Sequence, residues 1–219
     1  ATGIGRMTPD QFYTALHDGV GPKGGQVYPA MPYNYFTRVT RADSDAMLAY
    51  LKTIPAAAAE KPPNKLMFPL NFRFLVRGWN LFFFRPGGFT PDPAKSAEWN
   101  RGAYLVTGLG HCGSCHTPKN FLAADKAGKA LHGGTLDNWV APDLTANTRT
   151  GLGAWQVEDI VEYLKTGRNA YANAGGAMAE VVSYSTSLMD DPDLRSMAVY
   201  LKDQAASPSR SVRAPDAAA

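Results

Sequence analysis

Hydrophobic residues recur along most of the chain at the spacing of an α-helix. The first such segment opens on Thr8-Pro9-Asp10-Gln11, which offers a capping box and a proline at the first helical position, and it ends near Gly19. Phe12, Ala15 and Leu16 supply its apolar face. Four later segments have similar faces and begin near Thr40, Ser96, Val157 and Asp191. Because no run of alternating strand residues stands out, the pattern predicts an all-α fold with long irregular loops.

Residues 55–92 differ in kind from the helical segments. The stretch 55–63 is rich in Ala and Pro and predicts a linker, whereas 66–84 is strongly apolar and aromatic. Interruptions by Pro69, Arg73 and Gly78 argue against a membrane span. Two interpretations stay open for this connector: its aromatics pack on the chain's own domains, or they form an exposed patch that docks a partner subunit or a membrane surface.

The chain repeats itself at an offset near 148 residues. Residues 12–19 align with 160–167, and 50–52 align with 200–202. Met31 aligns with Met178, at an offset of 178 − 31 = 147. The second copy has an upstream part, Ser96 to Ala154, to which nothing in the first copy corresponds. Residues 1–54 are therefore predicted to be the C-terminal half of a module whose front is missing.

Composition excludes several classes of protein. The chain has 219 residues and a formal net charge of +3, too small an excess to indicate nucleic-acid binding. It has two cysteines, three positions apart, which excludes a disulfide scaffold. No Ser/His/Asp set or carboxylate pair stands out, so we do not expect a catalytic site of its own.

The two cysteines belong to Cys112-Gly113-Ser114-Cys115-His116, a C-x-x-C-H motif typical of c-type haem attachment. The thiols form thioether bonds with the haem vinyl groups, and the spacing of three residues places both sulfurs along one haem edge. The histidine that follows is an axial ligand of the iron. A thioredoxin-like redox pair would need a βαβ context, which the pattern does not predict, and a zinc site would need more ligands nearby.

Met178 is the preferred candidate for the sixth iron ligand. It follows Gly175-Gly176, whose small residues let a loop approach the haem closely, and Met31 is its counterpart in the repeat. Met189 and Met197 are its rivals, although Met197 falls on the apolar face of the last helix.

Other residues offer secondary roles at the same site. Trp139 and Arg168 are candidates for hydrogen bonds to the haem propionates, with a core or surface position as the alternative. His111 precedes the motif and is interpreted as a haem-edge packing or surface residue.

In combination these stretches resemble a known family, the multihaem cytochrome c subunits of membrane-bound bacterial dehydrogenases, which serve gluconate, sorbitol, fructose, glucose and alcohol dehydrogenases. The resemblance covers nearly the whole chain. It is carried by 99–106, 110–118, 141–145, 159–167 and 198–202, and in the first module by 28–33 with Met31 at the ligand position. In the family pattern an asparagine often stands where Asp143 does. Members usually carry three haem modules and a membrane anchor, so the chain is expected to be a truncated excerpt.

The resemblance implies a class I cytochrome c domain at 93–205, preceded by the partial module at 1–54 and the connector at 55–92, and followed by a flexible tail at 206–219. It implies that Cys112 and Cys115 attach one haem c, that His116 and Met178 ligate its iron, and that Met31 would ligate a second haem that no cysteine of this chain attaches. Without that haem, we expect residues 1–54 to be partly disordered or abnormally packed.

The implied function is one-electron transfer rather than catalysis. As the cytochrome subunit of a dehydrogenase, the chain would receive electrons from a flavin- or quinone-cofactor catalytic subunit and pass them towards membrane quinone. It would work in the periplasm, at the surface of the inner membrane. The alternatives are a stand-alone soluble periplasmic electron carrier and, if Met178 is not a ligand, a haem enzyme or gas sensor with an open iron site.

Overall fold

The protein was analysed as a computed structural model, which describes residues 3–57, 65–66, 68–136 and 138–208. Residues 58–63 of the predicted linker and most of the predicted tail lie outside the described residues. The chain divides into two compact units. One comprises residues 1–93 together with 104–111, and the other comprises 94–103 together with 112–219.

The described residues of the first unit form four α-helices and two short helical turns. Its helices are α1 (Pro9–His17), α2 (Tyr33–Phe36), α3 (Arg41–Thr53) and α4 (Leu75–Phe83), with a 3₁₀ turn at Ile4–Arg6 and a π-helical turn at Leu105–Leu109. Phe12 and Leu16 of α1 meet Leu48 of α3 in a small buried core. Partly buried hydrophobics surround that core: Ile4, Met7, Met31, Phe36, Met47 and Leu51.

The helix boundaries of this unit confirm the capping signals in the sequence. The Thr8 hydroxyl accepts a hydrogen bond from the Gln11 amide, and the Gln11 side chain accepts one from the Thr8 amide, so the predicted capping box forms. Thr40 caps α3 by accepting from the Asp43 amide. The first helix ends before Gly19, whose φ of 65° lies in the left-handed region.

The second unit contains the remaining helices and a small sheet. Its elements are α5 (Ala97–Tyr104, whose last residue belongs to the first unit), α6 (Gly113–His116), the strands β1 (Gly134–Leu136) and β2 (Trp139–Ala141), α7 (Val157–Thr166), α8 (Ala177–Tyr184), a 3₁₀ turn at Thr186–Leu188 and α9 (Asp191–Lys202). The described residues are mainly helical, as predicted, and the short antiparallel pair β1–β2 is an addition that the sequence pattern did not predict. The hairpin escaped the sequence pattern because each strand has only three residues, too few to show alternation.

Helices α5 and α9 cross at Gly102. A Cβ atom at Gly102 would overlap the Ser196 carbonyl and would lie 2.9 Å from the Tyr200 Cβ, which is also too close. The Trp99 ring packs edge-on against the Tyr200 ring, with 5.0 Å between centroids. The absence of a side chain at Gly102 is therefore what lets the two backbones approach.

Two expectations about the connector and the tail need revision. The first interpretation of the connector, with aromatics packed on its own domains, is wrong for most of them, since Phe68, Phe74 and Phe82 are 80%, 67% and 69% exposed. The predicted flexible tail begins too early, because Ser207 is held by hydrogen bonds to Asn147, Thr145 and Asp143. Within the part of the chain that the structure describes, no helix combines the length and apolarity needed to cross a bilayer.

Candidate haem attachment site

The C-x-x-C-H motif forms a short helix in the second unit. Cys112 is the N-cap residue of α6, and Cys115 and His116 lie in its single turn. Residues three apart in a helical turn lie on the same side, so both sulfurs face in one direction. Both cysteines are free thiols and half-buried.

The His116 ring is oriented by a backbone carbonyl. Its Nδ1 lies 2.7 Å from the carbonyl oxygen of Pro142, which can only accept, so Nδ1 carries the proton. The lone pair of the neutral ring is then on Nε2, which is the atom left to bind a metal. Burial lowers the pKa of His116, and the bond to Pro142 only partly offsets this effect, so the ring is held in the neutral, ligating form.

Both thiols of the motif are held in their protonated form. Burial raises the pKa of Cys112 to about 11, and it raises the pKa of Cys115 too, although Lys119 counteracts the shift there. Thiols of this kind are poor redox nucleophiles, because the reactive species is the thiolate. The electrostatics therefore argue against a thioredoxin-like function for this cysteine pair.

The β1–β2 hairpin packs directly on the motif helix. A Cβ at Gly134 of β1 would overlap the Cys115 carbonyl and lie 3.1 Å from the Thr117 carbonyl. Strand β2 is followed at once by Pro142, whose carbonyl accepts from His116. The hairpin thus fixes both the backbone of the cysteines and the ring of the histidine.

The other end of the same hairpin reaches the loop that precedes Met178. A Cβ at Gly176 would lie 2.5 Å from the Trp139 indole, so the Trp139 ring covers the backbone of this glycine. Gly176 has a φ of 52° and immediately precedes α8, in which Met178 is half-buried. Two sequence-predicted site residues, Trp139 and Met178, are therefore brought together through Gly176.

A buried carboxylate holds the segment that follows Pro142. Asp143 accepts hydrogen bonds from the Thr145 amide at 2.7 Å, from the Thr150 hydroxyl at 3.1 Å and from the Ser207 hydroxyl. Burial raises the pKa of Asp143, but these bonds outweigh it and lower the pKa overall. Sequence reasoning missed this network because two of its donors lie 7 and 64 residues away along the chain.

The remaining candidates fall in different places. Met197 is buried in α9, as its helical position predicted, and Met189 is half-buried, its carbonyl accepting from the Lys165 ammonium at 2.7 Å. Arg168 is exposed, and its guanidinium has no hydrogen-bond or ion-pair partner among the described residues. In the first unit, Met31 packs against the small core, and the His111 ring stacks on Phe36 with 5.3 Å between centroids.

The residues present fit a covalently bound haem. The structure combines two protonated thiols on one side of a helical turn with a neutral imidazole whose Nε2 is available. It adds a methionine beside a glycine loop that approaches closely to an exposed indole. No group of three or more His, Cys, Asp or Glu side chains in the described ranges could hold a metal ion by itself.

Comparison with known proteins gives a consistent result. No family model matches the chain. It is 42% identical to the cytochrome c subunit of a quinone-type alcohol dehydrogenase of Gluconacetobacter polyoxogenes and 39% identical to the fructose dehydrogenase cytochrome subunit of Gluconobacter japonicus. Each match covers 91% of this chain, and respectively 45% and 42% of the relative, so the chain spans less than half the length of these two proteins.

A shorter relative is matched over most of its length. The chain is 37% identical to a dihaem c-type cytochrome of Cereibacter sphaeroides over 201 residues, which is 91% of this chain and 67% of that protein. Together with the C-x-x-C-H helix and its Pro142-bound histidine, these matches show that the chain belongs to the family of c-type cytochromes.

Proposed function

We propose that the chain transfers single electrons through one covalently attached haem c, as the cytochrome subunit of a dehydrogenase complex that passes electrons towards membrane quinone. The observation that carries the proposal is the hydrogen bond from His116 Nδ1 to the Pro142 carbonyl, in a helix that also presents both cysteines. The haem would supply the Fe(III)/Fe(II) couple.

The chain's own residues have distinct tasks in this scheme. Cys112 and Cys115 would hold the group covalently, and His116 would bind its iron through Nε2, in a direction that Pro142 fixes. Met178 would supply a thioether ligand and so keep small ligands away from the iron. Trp139 holds the Gly176 loop in place and, with Arg168, offers a donor to the propionates.

The names of the relatives supply the wider context. The dehydrogenase subunits among them belong to complexes for fructose and alcohol, and one of these is described as quinone-dependent. We propose a flavin- or quinone-cofactor catalytic subunit as the electron donor and a periplasmic position at the inner membrane. One haem is attached through this chain, and Met31 would serve a second haem only if another segment supplied its cysteines.

Replacement of Met178 tests the proposed ligation. We expect Met178→Ala to lose the weak far-red charge-transfer band of the ferric protein and to bind carbon monoxide rapidly in the ferrous form, because removing the thioether opens the sixth position. The measurement is an optical titration of the purified holoprotein, whose mass should show one added haem.

Met189→Ala is the matched control, since Met189 is also half-buried and was the rival ligand. It should keep the far-red band and stay closed to carbon monoxide. If Met189→Ala loses the band while Met178→Ala keeps it, the ligand assignment is wrong. If the protein is colourless when it is made in a host with active cytochrome maturation, no haem is attached and the proposed function is wrong.

A further inference from the structure

The connector carries a set of exposed apolar side chains on the first unit, which we call the aromatic patch. It consists of Phe68, Leu70, Phe72, Phe74, Leu81 and Phe82, each at least 45% exposed. The rings of Phe68, Phe72 and Phe74 contact one another in series, with 5.8 Å between successive centroids. Leu81 and Phe82 extend the surface along α4.

The patch is held in place by the opposite side of the connector. Val76 and Phe84 are buried, and Asn80 accepts a hydrogen bond from the Tyr33 hydroxyl at 2.6 Å while it donates to the Gln26 side chain at 2.9 Å. Helix α4 therefore has an inward face that is anchored and an outward face that is also apolar. A surface helix normally carries polar residues outward, so the outward leucine and phenylalanine side chains mark an interaction site.

The charged residues of the connector between residues 61 and 91 are all positive. No Asp or Glu occurs between residues 61 and 91, whereas that stretch contains five cations. Four of these lie in the described part of the chain and are exposed: Lys65, Arg73, Arg77 and Arg85. None of the four pairs with a carboxylate there. Arg73 donates instead to the Gln26 carbonyl, and Arg85 to the Leu81 and Phe84 carbonyls.

We propose that the aromatic patch binds the surface of a membrane that contains anionic phospholipids. Exposed phenylalanine and leucine side chains suit the boundary between headgroups and acyl chains, and flanking arginines complement lipid phosphates. The positive charges of residues 61–91 favour this occupant over a second copy of the chain, whose identical patch would bring like charges together. The proposal deepens the proposed function, on which it rests, because it names the surface by which the chain would bind the membrane that contains the quinone.

Vesicle binding by the holoprotein tests the proposal. We expect the 219-residue chain to sediment with vesicles of phosphatidylcholine and phosphatidylglycerol, and to bind vesicles of phosphatidylcholine alone much more weakly. Added salt should weaken the binding. The triple variant Phe68→Ser, Leu81→Ser, Phe82→Ser should lower the partition coefficient by at least about tenfold, because the apolar contact is lost.

Matched control variants distinguish binding by the patch from nonspecific binding by other exposed apolar side chains. The triple variant Tyr50→Ser, Ile54→Ser, Phe121→Ser removes side chains that are also exposed, and it should bind vesicles as the wild type does. Arg77→Glu should lower binding to anionic vesicles by about tenfold or more, since one cation near such a surface contributes about fivefold.

A spin label reports the position of the patch directly. Both natural cysteines are consumed by haem attachment, so Gly78→Cys introduces a single thiol at an exposed site of α4 with open space around its Cβ. The label should become accessible to oxygen and protected from a water-soluble relaxation agent when anionic vesicles are added. The accessibility of a label at position 50, introduced by Tyr50→Cys, should not change when vesicles are added.

Several results would overturn the proposal. They are equal binding to neutral and anionic vesicles, an equal loss in the Tyr50/Ile54/Phe121 variant, or self-association in solution that the patch variant abolishes. The last result would assign the patch to a protein contact. The haem spectrum is recorded for every sample, so that loss of membrane binding with an intact spectrum counts against this inference alone, and a missing haem counts against the proposed function.

Discussion

Single side chains around Pro142 decide how the candidate ligand is presented. The carbonyl of Pro142 fixes the His116 ring, and Asp143 ties the next residues to Thr145, Thr150 and Ser207. An ionised carboxylate with several donors is favoured over its protonated form, which is why the pKa of Asp143 is lowered despite burial.

Removal of the Asp143 carboxylate should destabilise the protein in a pH-dependent way. We expect Asp143→Ala to cost about 2 kcal/mol of unfolding free energy at neutral pH, because buried donors lose their acceptor. Since the folded pKa is lowered, this contribution is fully present above the unfolded pKa of about 3.9 and is lost as the pH falls through the folded pKa. Urea unfolding of the wild type and Asp143→Ala at a series of pH values should therefore show that the difference in their unfolding free energies decreases at acidic pH.

Asp143→Asn is the conservative control. Its amide oxygen can still accept from the Thr145 amide, and the hydroxyls of Thr150 and Ser207 can turn to accept from its NH₂ group. The loss should be about 1 kcal/mol or less. A stability gap between wild type and Asp143→Ala that stays constant with pH would show that the carboxylate's charge plays no part.

Whole elements depend on a few close approaches between backbones. The β1–β2 hairpin contacts the motif helix at Gly134 and the Met178 loop at Gly176, so it supports both sides of the site. Asn138 in its turn has a φ of 65°, a conformation that Asn tolerates better than most residues. The Asp137-Asn138 pair between short β-forming stretches was the available signal for this hairpin.

A pair of glycine substitutions tests the crossing of α5 and α9. Gly102→Ala should destabilise the protein by about 3 kcal/mol, because the added Cβ would overlap the Ser196 carbonyl and force the helices apart. Gly78→Ala, also in a helix interior but with open space around its Cβ, should stabilise by about 0.5–1 kcal/mol. Thermal unfolding measures both, and a neutral Gly102→Ala would show that the helices do not approach as described.

At the scale of the whole molecule, the two units contain equivalent helices. Both α1 and α7 begin with a capping box, at Thr8 and Gln156, and both end before a left-handed glycine, at Gly19 and Gly167. An isolated β-bridge follows each glycine, Val20 with Gln26 and Arg168 with Asn173. The offset of 148 residues that appears in the sequence is thus repeated in the local structure of the two units.

The two units should differ in local stability. In the first, Met31 packs on the cluster of Phe12, Leu16 and Leu48 rather than on a haem attached through this chain. We expect backbone amides of 8–54 to exchange faster than those of 96–203 in the haem-loaded protein, because only the second range gains the attached haem as part of its core. Hydrogen exchange with mass spectrometry measures this, and equal protection of the two ranges would contradict the half-module prediction.

The sequence by itself predicted the helices α1, α3, α5, α7 and α9 and the chemistry proposed for the site. Caps at Thr8 and Thr40 and the C-x-x-C-H motif act over a few neighbouring residues, so they can be recognised without tertiary contacts. The tertiary structure alone decided that Pro142 orients His116, that Trp139 covers Gly176 and that the connector's aromatics face outward. These contacts join residues 26 to 37 positions apart, or depend on which side of a uniformly apolar segment is buried, and neither property is encoded in local periodicity.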